Sequence, residues 1–364
     1  MVGEFHYVHH RPDGTAYEDP NAMGRALVQA AADAGIRLTL LDTCYLAGGL
    51  ADAGHQKLAP EQVRFGDGDV EAWARRAGDR AAWTDSHVQL GAAAHSVRAV
   101  PAGALGAVAA FAREHGQPFH IHLSEQPAEN AACEAHYGRT PTALLDAESG
   151  LGPDTTVVHA THLTAADIAT LGRTETIACF CPTTERDLAD GIGPARALVD
   201  ASARLTLGSD QHAVVDPFEE IRGVESHERL TSGQRGRFSP AALVEMATDA
   251  GYRSLGWPDG GRLDVGALAD FVTVGLGSAR TAGCLPEQIL YAATAADVTT
   301  VVVGGETVVS EGKHRLGDVS ALLREAIAAV TPADGGHDGA KGETSEAGGA
   351  DGDRADRPGS VDQR

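Results

Sequence analysis

The chain has no apolar run near the roughly 18 residues that would span a bilayer. Its start, Met1-Val2-Gly3-Glu4-Phe5-His6, offers neither the basic stretch nor the apolar stretch of a secretory leader. Cysteine is sparse as well. Five residues, at 44, 133, 179, 181 and 284, are odd in number and widely scattered, which fits reduced thiols in a cytoplasmic protein better than a disulfide framework. Cys179 and Cys181 form a C-x-C inside a β-type run, yet no second pair accompanies them, so packing is expected there rather than metal binding. Positive charge is short too: 29 Lys and Arg stand against 51 Asp and Glu, a net charge of −22. Eight acids and four bases after residue 330 account for only four of those charges, so the body itself is strongly acidic. Such a surface repels nucleic acid and anionic membrane, and neither is an expected partner. A small molecule remains, and an anionic one would need its own Arg or Tyr donors.

With 364 residues, 43 % of them hydrophobic, the chain can bury one large core or a barrel with a small satellite. The repeating theme is a short β-type run followed by Ala-rich helical sequence. Val2 to Tyr7, Arg37 to Leu41, His87 to Leu90, Pro118 to Leu123, Thr155 to His159, Thr176 to Phe180 and Arg204 to Leu207 are seven such runs. Alternation of this kind predicts a parallel sheet covered by helices, one unit short of a (β/α)8 barrel. Asp19, with Pro20 at the first helical position, is expected to cap the first helix, and Thr164 with Asp167 a later one. A helix capped by Ser239 should run to Gly251. Beyond it, Leu263–Val274 and Val301–Val309 read as antiparallel β with tight turns, and from Thr331 hydrophobic periodicity vanishes, which predicts disorder.

In a parallel barrel the carboxyl ends of the strands converge on one rim. His122 and Glu125 form His-x-x-Glu at one such end, His159 closes the next strand, and Asp210 follows a later one in Gly208-Ser209-Asp210. Any one of these alone is more often a structural polar residue. Together, in this order, they bring two imidazoles and two carboxylates to one place, the donor types of a zinc-like metal that activates water.

That order resembles the amidohydrolase superfamily, and several strings resemble its formimidoylglutamate deiminase branch. They are Gly3-Glu4-Phe5-His6-Tyr7-Val8-His9-His10, His95-Ser96-Val97-Arg98-Ala99-Val100 and His120-Ile121-His122-Leu123-Ser124-Glu125-Gln126, followed by His159-Ala160-Thr161-His162, Cys181-Pro182-Thr183-Thr184-Glu185, Gly208-Ser209-Asp210 and Glu219-Glu220-Ile221-Arg222. The resemblance runs to about Gly312. It implies a TIM barrel of residues 1–255 from about the second strand onward, then residues 256–330 as the C-terminal part of a composite β-sandwich with a terminal helix, and a disordered acidic tail over 331–364. It implies a divalent metal, Zn2+, held by His122 and Asp210, with Asp210 also taking a proton from water. Glu125 would pass that proton to the leaving amine and His159 would bond the tetrahedral centre. Arg98, with His95 and Tyr7, would bind the carboxylates of N-formimidoyl-L-glutamate, an intermediate of histidine degradation. A cytoplasmic homodimer is implied by the same resemblance.

The family also carries a metal-binding His-x-His at the end of its first barrel strand, and no such pair precedes the Gly3 string. His9-His10 are adjacent and misplaced, and His120-x-His122 belongs to the fifth strand. The expectation is that Met1 is a misplaced start of a longer polypeptide. Three other readings stay open: another deaminase or chlorohydrolase of the superfamily, a catalytically inactive remnant, and, least favoured for want of a Gly-x-Ser-x-Gly elbow, a metal-independent hydrolase.

Overall fold

A computed structural model of the chain describes residues 1–211 and 213–331. The tail expected to be disordered lies, from residue 332 onward, outside the described residues. Two compact units are present, Met1–Gly317 and the segment from Asp318. The second is described as one helix, Val319–Val330, whose Asp318 carboxylate accepts from Ala321 N at 3.0 Å.

The seven expected β-runs form a single parallel sheet. Its strands are β1 (Val2–His6), β2 (Leu38–Cys44), β3 (Val88–Ser96), β4 (Phe119–Leu123), β5 (Thr155–His159), β6 (Ile177–Phe180) and β7 (Arg204–Leu207). They pair in sequence order, with β1 and β7 at the two edges. Every residue of β2 is buried, as expected for a strand covered on both faces. The sheet curls, because side chains from distant strands meet on its inner face: Phe5 of β1 lies 4.3 Å, ring to ring, from His122 of β4.

One short segment fills the amino-terminal end of this curl. Ser254 O accepts from His120 of β4 at 2.8 Å, and Ser254 Oγ accepts from Thr156 of β5 at 3.0 Å. Leu255 O accepts from Thr39 of β2 at 2.7 Å, and the Trp257 indole donates back to Thr39 Oγ1 at 2.9 Å. The inward polar residues of three strands thus find partners on residues 254–257 rather than in water.

Helix boundaries depart from the sequence expectation at two places. The first helix is Ala22–Ala34, and Asn21 rather than Asp19 sits at its N-cap position without a side-chain bond. Asp19 instead accepts from Asn21 N at 2.9 Å, two residues upstream of the N-cap. The helix capped by Ser239 ends at Ala247, because Thr248 takes φ −127 and ψ −97, and a new helix runs Asp249–Ser254. That break turns the chain toward the plug just described. The capping box of Thr164 and Asp167 is present as expected.

Four antiparallel strands make a second, smaller sheet: β8 (Phe271–Val274), β9 (Val298–Val303), β10 (Glu306–Ser310) and β11 (Lys313–His314). Gly304 and Gly305, both with positive φ, form the two-residue turn between β9 and β10. Residues 263–270, expected to be β, are turn and coil. The sheet is fastened to the larger one through Asp270. Arg37 donates to it at 2.6 and 3.0 Å, Tyr252 Oη at 2.9 Å and Gly304 N at 2.7 Å. Among the described residues no helix is long and apolar enough to cross a membrane.

Candidate active site

The carboxyl ends of β4, β5 and β7 deliver the expected residues to one place, and each does so through an uncommon backbone turn. Ser124, His159, Ala160 and Asp210 all have positive φ, between 47° and 72°. Non-glycine residues adopt this region at a cost, and such strain persists where the surroundings hold it. Here it turns the chain out of the strand and aims His159 and Asp210 inward.

His159 is the centre of the group. Its Nε2 lies 3.7 Å from Glu125 Oε1 and 3.9 Å from Asp210 Oδ2, while Nδ1 lies 3.5 Å from Glu185 Oε1. Burial opposes its protonation, but Glu185, Glu125 and Asp210 together outweigh that and raise its pKa. His122 lies alongside, its ring 5.5 Å from that of His159. Nδ1 of His122 donates to His95 O at 2.8 Å, which leaves the lone pair on Nε2 to accept a proton or ligate a metal. Burial, then the neighbouring His159, hold His122 down at about 4, so it is a neutral imidazole near pH 7.

Arg98 stands beside Glu125, with Nη2 donating to Oε2 at 2.6 Å, and its Nε lies 3.5 Å from Glu129 Oε2. Burial by itself would lift the Glu125 pKa, but His159 and Arg98 pull it below the usual value. His95 and Tyr7 are part of an aromatic wall. The Tyr7 ring lies 5.3 Å from His95, 5.1 Å from Phe65 and 5.8 Å from Tyr45, and His95 lies 5.0 Å from His122. All seven residues singled out by sequence thus fall in one connected group.

Three members of the group had no role assigned from sequence: Glu129, Tyr45 and Glu185, the last quoted only as part of the Cys181-Pro182-Thr183-Thr184-Glu185 string. The two acids do the same structural job. Each sits in the first turns of a helix with Pro at its first position, Pro127–Tyr137 and Pro182–Asp187, and folds back on the backbone at its start. Glu129 accepts from Ser124 N at 2.9 Å, and Glu185 from Cys181 N at 2.8 Å. The signal was an acid five residues after Ser124 and four after Cys181, spacings that ordinary helix starts also show.

His9 and His10 lie elsewhere, in a buried charge network behind β1 and β2. Asp42 accepts from Arg76 at 2.7 and 2.9 Å and from the Trp73 indole at 2.8 Å, and Arg80 lies 3.2 Å away. Arg76 also bonds Asp67, which pairs with His10 at 3.2 Å, and His9 lies 4.0 Å from Asp42. His120 belongs to the plug. Of the side chains gathered at the rim, His122 through Nε2 and Asp210 through its carboxylate are ones that could hold a zinc-class ion. Among the described residues no group of three or more His, Cys, Asp or Glu is placed to hold a metal ion. All five cysteines are free, with Cys181 buried and Cys179 half-buried.

Residues 2–308 match the Amidohydrolase family. The chain is 35 % identical to a formimidoylglutamate deiminase from Pseudomonas aeruginosa, over 86 % of its own length and 70 % of the relative's. A solved amidohydrolase from Brucella melitensis superposes with a TM-score of 0.80 at 30 % identity, covering 90 % of this chain and 73 % of that one. An adenosine deaminase from Xanthomonas campestris, solved with bound zinc, follows at 0.73 and 26 %, covering 83 % and 67 %. Against its curated relatives the chain spans from 55 to 70 % of their length.

Proposed function

The chain belongs to the amidohydrolase family, and from that we propose that it is a metal-dependent deiminase that hydrolyses N-formimidoyl-L-glutamate to N-formyl-L-glutamate and ammonia. The observation that carries this reading is the guanidinium of Arg98 within 2.6 Å of Glu125, at the rim where His159, Asp210 and His122 gather. A substrate with two carboxylates needs a cation close to the reacting centre, and only a planar guanidinium binds a carboxylate through two parallel bonds. The 35 % identical deiminase supports the choice of substrate.

A divalent metal of the zinc class, when bound through His122 and Asp210, supplies Lewis acidity and lowers the pKa of water. The chain's own groups do the rest. Asp210 accepts the first proton from the attacking water. Glu125 carries a proton to the departing nitrogen, so that ammonia leaves as the formimidoyl C–N bond breaks. His159 Nε2 faces both carboxylates and donates to the oxygen as charge builds on it. Arg98, backed by Tyr7 and His95, fixes the substrate through a carboxylate.

A second reading, deamination of an adenosine-like purine, is favoured by the likeness to the Xanthomonas campestris enzyme. It has no use for Arg98. Ammonia release by the zinc-supplemented protein from N-formimidoyl-L-glutamate and from adenosine separates the two. The first reading expects turnover of the dicarboxylate alone and a loss in kcat/KM of about 100-fold or more in Arg98→Met. Turnover of adenosine that Arg98→Met leaves intact would overturn it.

A further inference from the structure

Arg98 holds two carboxylates before any substrate arrives, and the two are not equivalent. Glu129 is fully buried, and its oxygens accept from Ser124 N and Glu125 N at 2.9 and 3.3 Å. It is fixed whether or not Arg98 is present. Glu125 is the less buried of the two, its side chain 12 % exposed against 0 % for Glu129, with its other oxygen turned toward His159 at 3.7 Å. The Arg98 side chain is 28 % exposed; Nη2 donates to Glu125 Oε2 at 2.6 Å, while Nε faces Glu129 Oε2 at 3.5 Å, an ion pair without a hydrogen bond. The oxygen that Arg98 occupies, Oε2, belongs to the residue assigned to move the proton.

Resting on the deiminase reading above, we propose that the Arg98–Glu125 pair is a latch opened by substrate, with Glu129 as the residue that keeps Arg98 in position. A carboxylate of the incoming dicarboxylate takes the Nη edge of Arg98 from Glu125, and Glu125 Oε2 is thereby released for proton transfer. No covalent bond changes in the exchange. One charge-assisted hydrogen bond replaces another of similar strength, so the cost of opening is small for an anionic ligand. A neutral or cationic compound of the right size has nothing to offer Arg98 and leaves Glu125 engaged. Selectivity then arises in the readiness of the acid–base group as well as in binding.

The latch predicts that Glu125 competes with the ligand. Calorimetric titration with N-formyl-L-glutamate, which the deiminase reading makes a product that is not turned over, is compared in the unsubstituted protein, Glu125→Gln, Arg98→Met and the double variant. Glu125→Gln should bind it about tenfold more tightly, and that gain should vanish in the Arg98→Met background. Arg98→Gln, which keeps a polar chain beside Glu129 but no cation, replaces Arg98→Met should the latter fail to fold. An equal gain in both backgrounds would mean a general field effect, and no gain at all would mean no competition; either overturns the latch while the substrate assignment stands. Undiminished binding by Arg98→Met overturns the role of Arg98 in both.

Discussion

His159 sits where three carboxylates converge, and only one of them, Glu185, has no part in the chemistry proposed. Glu185 is fully buried, bonded to Cys181 N and facing Nδ1 of His159. A carboxylate behind Nδ1 holds a proton there and favours the doubly protonated ring, the form in which Nε2 can also donate toward the reacting centre. Glu185→Gln keeps the volume and an acceptor for Cys181 N but removes the charge. It is expected to lower kcat about 10- to 100-fold with little change in the urea midpoint. Glu185→Ala should lose in addition ~1–3 kcal/mol of stability, because Cys181 N–H is left unpaired in the interior; kinetics and urea unfolding on both variants check this. The order of His122, Glu125, His159 and Asp210 along three strand ends made them legible together, since few other roles gather such groups on one rim. Glu185 and Glu129 were not legible. Their duty is set by the direction in which a side chain folds back over a helix start, and an acid in a first helical turn has many ordinary reasons to be there.

At the level of elements, the strands could be read and the turns between them could not. Seven apolar runs pair in their order along the chain, because a run buried on both faces has few other places to go. The Ser239-capped helix looked continuous to Gly251, yet it breaks at Thr248, where the demand of the plug for Ser254 and Leu255 overrides local preference. The hairpin Gly49–Ala51 with Gly54–Gln56 is too short to show a period, whereas the helix Val70–Gly78 did carry a signal, in Asp69 at its N-cap and in its amphipathic repeat. Asp270 shows how one residue joins elements: it receives four hydrogen bonds from Arg37, Tyr252 and Gly304. Removing one partner of a buried ion pair leaves the other charge stranded. Asp270→Ala is accordingly expected to cost roughly 3–5 kcal/mol, measured by denaturant unfolding. A cost below about 1 kcal/mol would mean that Arg37 finds water at once.

The whole molecule carries a pH dependence that follows from what it buries. Burial, then the nearby His9, hold His6 down at about 3, and burial lowers His9. For Asp67 burial acts in the other direction, but His10 and Arg76 pull the carboxyl down to about 2. All three groups bind protons more readily in the unfolded chain. The two histidines contribute stability that is present above the unfolded value near 6.5 and is lost as pH falls toward their folded values. Asp67 contributes stability present above about 4 and lost on approach to 2. His159 has the opposite sign, its raised pKa adding stability below about 6.5 that is lost as pH rises through the folded value. With His6 and His9 outweighing His159, the melting temperature should fall steadily from pH 7 to pH 5 and more steeply below 4. Scanning calorimetry across that range checks it, and a flat profile from 7 to 5 would show that these imidazoles are already protonated in the folded protein.

The segment 254–257 closes one end of the curled sheet, and every polar group it satisfies there lies at the opposite end from His159, Glu125 and Asp210. Stability and chemistry are thus quartered at different addresses on the same strands. Lineages descended from such a chain can exchange the turns at one end, trying one substrate after another, without unsettling the foundation at the other.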